Sequence, residues 1–398
     1  MRLSVAANYD SDIIEQLAHQ AVDEVYGKFS HDLAGGGRPT YMGAALSERQ
    51  LGEYVRRLAE HGIAFNYLLN SSCLSNREWG RRWQRGLERL LNKLWDIGIR
   101  RLTVSTPYLL ERIKRTFSNF SIRVGVYAQV DTARRARFWE DLGADNITVE
   151  SFSINRDFGR LAAIRDAVDC DLTLIANHPC LPNCAMQPYH QGGFAHSSNG
   201  SRELFIDYCF LKCTYARLRD PSNLIKSCWI RPEDTGFYER MGYAHFKILE
   251  RDIPSAELLK RVACYAERRS PANLADLILP YGFNEPKGGR RATVLRHFFK
   301  PRQIHPLKLK RLYDFARRQG MLFAGGQQVF EIDSSRIPDD FVESFRNHTC
   351  AETDCRDCGY CEEIAARCIR LNEDIRRDHL ARLEAIHDEL VSGAMWHA

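Results

Sequence analysis

Eight short apolar runs, separated by longer amphipathic stretches, recur through the first 250 residues and restrict the fold more than any other feature of the chain. The runs are Arg2–Asn8, Glu24–Phe29, Ala64–Leu69, Arg101–Ser105, Ile122–Ala128, Asn146–Glu150, Asp171–Ala176 and His245–Leu249. Each is short and holds β-branched or aromatic residues, a pattern that predicts buried parallel strands. The segments between them have helical periodicity. Ser47–Glu60 opens on an N-cap serine with Gln50 three residues on. Asn76–Asp96 places Trp79, Trp83, Leu87, Leu90, Leu91 and Leu94 on one stripe. Thr132–Leu142 stops before Gly143. The alternation predicts an α/β fold, a (β/α)8 TIM-like barrel, with a doubly wound sheet as the alternative. The gap from Ala176 to His245 is too long for one crossover, so a cysteine-containing insertion follows the seventh strand.

The expected division is a catalytic barrel over 1–254, a helical and basic extension over 255–345, and a cysteine-rich tail with a terminal helix over 346–398. Ser255–Leu279 reads as helical, and roughly Glu362–Val391 as a charged terminal helix. Hydrophobic residues make up 44% and charged residues 27% of the 398. That is ordinary globular usage and excludes a disordered or fibrous chain. No uncharged apolar run approaches the ~18 residues of a membrane span, and MRLSVAANYDSD lacks the pattern of a secretory signal. The expectation is a cytoplasmic protein without a membrane partner.

Thirteen cysteines, an odd number, argue against a disulfide scaffold in such a chain. Cys350, Cys355, Cys358, Cys361 and Cys368 lie in CAETDCRDCGYCEEIAARC, whose inner C-x2-C-x2-C has the spacing of iron–sulfur ligands. Cys350 would complete a four-thiolate set, with Cys368 as the alternate; zinc is the rival occupant. Cys180 and Cys184 follow the seventh strand, and Cys209 and Cys213 lie further on, so two C-x3-C pairs supply four more sulfurs. Cys228 is their alternate. In a barrel, loops after strand C-termini build the reactive face. Cys73, Cys170 and Cys264 read as packing residues.

Polar residues also gather at the expected strand ends: Asn8, Asn66, Asn70, Gln129, Glu150, Asn177, Glu250 and Arg251. Candidate catalytic residues are Glu150, Asn155, Arg156, His178, His190, Arg231 and Glu233. Arginines suit a carboxylate or phosphate. The histidines suit proton transfer or support of a cluster. Many of these groups would equally serve as caps and ion pairs. From 287 to 318 the chain carries 11 Lys or Arg against one acid, Asp314, interleaved with His297, Phe298, Phe299 and Tyr313. That is either a solvated helical face or an RNA-binding patch.

ESFSINRD (150–157), ANHPC with Cys184 and His190 behind it, WIRPED, Tyr238, Gly242 and FKILER (246–251) together resemble the peptidase U32 family, the collagenase-like proteases. The resemblance covers most of residues 1–270, and the cysteine-rich tail is similar to that of a sub-group. It implies a barrel-like catalytic domain with a 4Fe–4S cluster. It also implies an oxygen-independent hydroxylation, known in relatives acting on tRNA, rRNA or the ubiquinone ring, some of which draw on prephenate. Cys180, Cys184, Cys209 and Cys213 fall in the family's cysteine region, with Cys228 as a substitute, although the spacings depart from those of better-known bacterial members. The expected cofactor is one or two 4Fe–4S clusters, with zinc possible at the tail. The expected partners are a small-molecule or RNA substrate and a possible paralogous subunit. A peptidase is the alternative function; neither HExxH nor GxSxG occurs in the chain.

Overall fold

The computed structural model describes residues 1–40, 46–199, 204–249, 253–280, 303–317, 322, 329–346, 350 and 353–397. All eight expected strands form: β1 (Arg2–Ala6), β2 (Val22–Gly27), β3 (Ala64–Leu69), β4 (Arg101–Val104), β5 (Ser121–Val124), β6 (Asn146–Thr148), β7 (Asp171–Ile175) and β8 (His245–Lys247). They pair in parallel in chain order, and β1 closes on β8 through Arg2↔His245 and Leu3↔Phe246. The fold is therefore the (β/α)8 barrel; the open-sheet alternative is excluded.

The helices pack outside the strands for reasons visible in their sequences. Glu48–Glu60 opens on a complete Ser47/Gln50 capping box and buries Leu51, Val55 and Leu58. Arg81–Asp96 buries Trp83, Leu87, Leu91 and Leu94. Its expected start at Asn76 is wrong. Gly80 adopts an extended backbone, a separate 3-10 turn covers Arg77–Trp79, and Trp79 stands 67% exposed. Ser255–Leu279 also divides, into helices Ser255–Ala266 and Ala275–Ile278.

The barrel floor is polar. Period-two alternation turns Ser4, Glu24, Asn66, Thr103, Arg123, Asn146, Thr173 and His245 inward at one level. Arg123 forms a close ion pair with Glu24 and donates to Asn146 at 3.0 Å. Ser4 and Asn66 donate to Glu24 at 2.6 and 3.1 Å, and Thr173 donates to Asn146 at 2.9 Å. Burial alone would raise the Glu24 carboxyl, but the Arg123 charge and these hydrogen bonds outweigh it and hold the group down at about 2. Burial first, then the Arg123 charge, lowers His245 to about 2, so its imidazole is neutral.

The tail folds against the barrel. Phe330–Ile332 (β9) pairs antiparallel with Ile369–Leu371 (β10). The second strand splits the expected single terminal helix into Tyr360–Cys368 and Glu373–Val391. Trp229, fully buried, stacks on Phe341 with ring centroids 5.4 Å apart. Tyr360 stacks on Phe341 at 6.0 Å. The terminal helix packs on Tyr208–Arg219, where Tyr215 donates to Glu384 at 2.8 Å. Much of the basic stretch, including His297, Phe298 and Phe299, lies outside the described residues, as do Glu250 and Arg251. Its described part, the helix Pro306–Arg317, pairs Arg311 with Glu389.

Candidate functional site at the barrel mouth

The C-terminal ends of the strands open beneath a helix, Gln187–Ser198, supplied by the insertion after β7. At one end of this helix Gln187 donates to Glu150 Oε1 at 2.8 Å. At the other, Ser198 Oγ accepts from Gly36 N at 2.8 Å and donates to the Gly36 carbonyl at 2.9 Å. The glycine run Gly35–Gly37 after β2 permits this close approach. Gly35 has φ +75°, and a Cβ there would meet Ser198 Oγ at 2.8 Å. Lys28 braces the same loop through Asp32 (2.9 Å) and the Gly35 carbonyl (2.6 Å), and Tyr67 donates to Asp32 at 2.8 Å.

Between floor and covering helix lie buried polar atoms without a protein partner: Ser105 Oγ, Thr148 Oγ1, Glu150 Oε2, Gln191 Nε2 and Asn70 Oδ1. Ser105 and Thr148 follow Thr103 and Asn146 by two residues and face inward one level above them. Gln191 lies one turn along from Gln187 on the same helix face. Buried groups of this kind are normally satisfied by protein, water or a ligand. The set offers two-way hydroxyls, one amide donor and two acceptors. Burial, partly opposed by the Gln187 hydrogen bond, raises the Glu150 carboxyl.

Beside Glu150 stand the thiols of the insertion. Cys184 and Cys213 lie close enough to both Cys180 and Cys209 to disfavour ionisation of those two thiols. Burial pushes Cys180 up to about 12 against the pull of Arg217. Arg217 donates to Cys213 Sγ at 3.3 Å and also to the Pro179 carbonyl. Nothing in the sequence reading singled out Arg217; its position four residues after Cys213 on one helix was the available signal.

The chemistry of this donor set fits an iron–sulfur cluster: four thiols, one buried and three half-buried, with a cationic neighbour to stabilise thiolate. Among the described residues no three His, Cys, Asp or Glu side chains are gathered as a single ion would need.

The remaining expected residues divide by place. His178 lies at the β7 end, buried, with Nε2 3.0 Å from the Ser151 carbonyl and its ring edge-on to Phe152. Burial lowers it to about 3, so it is neutral. His190 contacts Asp207 at 3.0 Å. Asn155 donates to the carbonyls of Ile175 (2.8 Å) and Cys228 (2.9 Å). Arg156 donates to the carbonyls of Ile225 and Trp229, with its guanidinium 4.6 Å from the Trp229 ring and 4.8 Å from the Phe341 ring. Arg231 forms a bidentate pair with Asp234 (2.8 and 2.9 Å) and donates to the Pro338 and Asp339 carbonyls. Glu233 is exposed and accepts from Ser270. The structure thus brings Glu150, His178 and the first cysteine set together, whereas Arg156 and Arg231 fasten the tail. Cys350, Cys355 and Cys358 are exposed, Cys361 is half-buried, and Cys368 is buried in the core.

A second hollow of about 510 Å3 opens beyond His190 and Cys209, lined by their neighbours Tyr189 and Tyr208 together with Ile206, Leu390 and Trp396.

A closed parallel barrel with polar and thiol groups at its C-terminal mouth defines a (β/α)8 protein. Residues 11–172 match the model of peptidase family U32. It is 29% identical over 255 residues to an uncharacterized protease of Methanocaldococcus jannaschii, covering 64% of this chain and 75% of the relative. Among solved structures it is similar to the U32 peptidase Mk0906, with 18% identity, TM-score 0.47, and 62% of this chain and 91% of that chain covered. It is more distantly similar to a D-psicose 3-epimerase, with 14% identity, TM-score 0.33, and 50% and 82% covered. Among the described residues no helix is long and apolar enough to cross a membrane.

Proposed function

We propose that this chain is an iron–sulfur enzyme of the U32 type, acting in the cytoplasm, whose barrel mouth carries out a redox modification of a small molecule or RNA base. Oxygen-independent hydroxylation is the reaction that best suits it. The observation that carries the reading is the gathering of Cys180, Cys184, Cys209 and Cys213 beside Glu150 and the unpartnered polar atoms of the mouth. A cluster held there supplies one-electron chemistry. Arg217 steadies the thiolate of Cys213. Glu150, with one oxygen on Gln187 and the other without a protein partner, accepts or returns a proton at Oε2. The hydroxyls of Ser105 and Thr148 and the amide of Gln191 orient the bound molecule, and the covering helix excludes water. The hollow lined by Tyr189, Tyr208 and Trp396 suits a planar ring.

Oxygen-free purification, with iron and acid-labile sulfide counted per chain, tests this. About four irons at the barrel site are expected. A colourless protein free of sulfide would end the proposal.

One observation favours the second reading, a thiol peptidase: Asp207, which holds His190, lies two residues before Cys209 in the chain. Peptide cleavage by the metal-free chain, abolished by alkylation, would establish it.

A further inference from the structure

We infer that Cys228 is a ligand of a second metal site, built across the seam between barrel and tail with Cys350, Cys355, Cys358 and Cys361. The inference rests on reading the tail thiols as metal ligands. It assigns to that site a residue that lies some 120 positions earlier in the chain and near the barrel cysteines in sequence.

The contacts on either side of Cys228 fix its place. Two residues before it, Lys226 pairs with Glu362 at 2.5 Å, and Glu362 directly follows Cys361. One residue after it, Trp229 stacks on Phe341, which stacks on Tyr360, and Tyr360 directly precedes Cys361. Cys228 and Cys361 are therefore bracketed by touching neighbours. Cys350 and Cys361 lie in the neighbourhood of Cys228, and Cys355 and Cys358 in that of Cys350.

The local backbone suits a shared centre. Cys355–Cys358 forms one short helix, Gly359 reverses the chain at φ +67°, and the next helix carries Cys361 back toward the first two thiols. The Arg156 guanidinium lies near Cys228, Cys350 and Cys361 and brings a positive charge to the seam. Cys228 is 4% exposed, whereas Cys350, Cys355 and Cys358 are exposed, so the barrel supplies the sheltered side of the site. Cys368 has no such position. It is fully buried in the core, and the carboxylate acting on it is Asp333.

The test is metal counting on the full chain, for both iron and zinc, in Cys228→Ser, Cys361→Ser and Cys368→Ser. Cys228→Ser and Cys361→Ser should each lose the complement of one site, and Cys368→Ser should keep it. Full retention by Cys228→Ser overturns the inference. Should that variant not fold, the wild-type chain answers by alkylation mapping during chelation. Cys228 should become reactive in step with Cys355, Cys358 and Cys361. Opening in step with Cys180 and Cys184, or remaining closed after the tail thiols open, overturns it. Zinc in place of iron at the tail would sink the iron–sulfur reading there and leave the ligand assignment standing. A tail that binds neither metal removes the assignment, whatever the barrel thiols hold.

Discussion

At the scale of single residues, the barrel floor is a balance between burial and charge. Glu24 is tolerated at zero exposure because Arg123 and two hydrogen bonds satisfy it. Removing one partner of such a pair strands the other, so Arg123→Ala should destabilise the fold by about 3–5 kcal/mol in urea unfolding. The pH dependence follows from the same groups. Glu24 sits near 2 in the fold against an ordinary 4.5, so its contribution is full above about 4.5 and fades as pH falls toward 2. His245, neutral in the fold down to about 2, takes up a proton on unfolding below its ordinary 6.5. In both cases the unfolded chain binds more protons, so stability should decline from pH 7 to pH 3; urea midpoints measured across that range check the sign. At the thiol set, Arg217→Ala should lower iron retention, and Arg217→Lys should restore part of it, since the contact to Cys213 Sγ is made by a guanidinium nitrogen.

At the scale of elements, the strands were readable because buried parallel strands carry their signal in every residue, and all eight fell where the apolar runs lie. The misreadings have local causes. Gly80 broke a helix whose stripe otherwise continued through Trp79, and a three-residue strand at Ile369–Leu371 interrupted a run with good helical periodicity because β9 was there to pair with it. Neither partner is visible to a local pattern. The Gly35–Gly37 loop is a further case: the glycines are plain in the sequence, but their need appears only when Ser198, 162 residues on, is seen against Gly36. Gly35→Ala should cost roughly 1–3 kcal/mol in thermal or urea unfolding, because alanine disfavours φ +75° and its methyl would press on Ser198.

At the scale of the whole molecule, the tail and the barrel share one aromatic and cationic seam. Arg156 and Arg231, which residue chemistry suggested for anion binding, spend their donors on carbonyls and on Asp234 there. The sequence offered the residue types; only the docked tail shows what they hold. The two cysteine groups were legible as groups, but the position of Cys228 between them was not, because it depends on Trp229 meeting Phe341. Phe341→Ala should therefore loosen the tail at a cost of about 3–5 kcal/mol, seen as faster proteolysis within 353–397 while the barrel fragment persists.

The fastening of the Gln187–Ser198 helix is lopsided. Around its far end Thr40 bonds the Ser197 carbonyl, Ser198 bonds Gly36 twice, and Ser75 and Arg77 bond Asn199. At its near end the side-chain tie to the barrel is Gln187 to Glu150. Ties so unequally placed favour opening at the near end, where the latch is the same carboxylate that faces the cysteines, seconded by the contact of His190 with Asp207. Traffic into the chamber and proton movement within it would share one switch, and cutting that latch with Gln187→Ala should quicken amide exchange along 187–191 while leaving 195–199 slow.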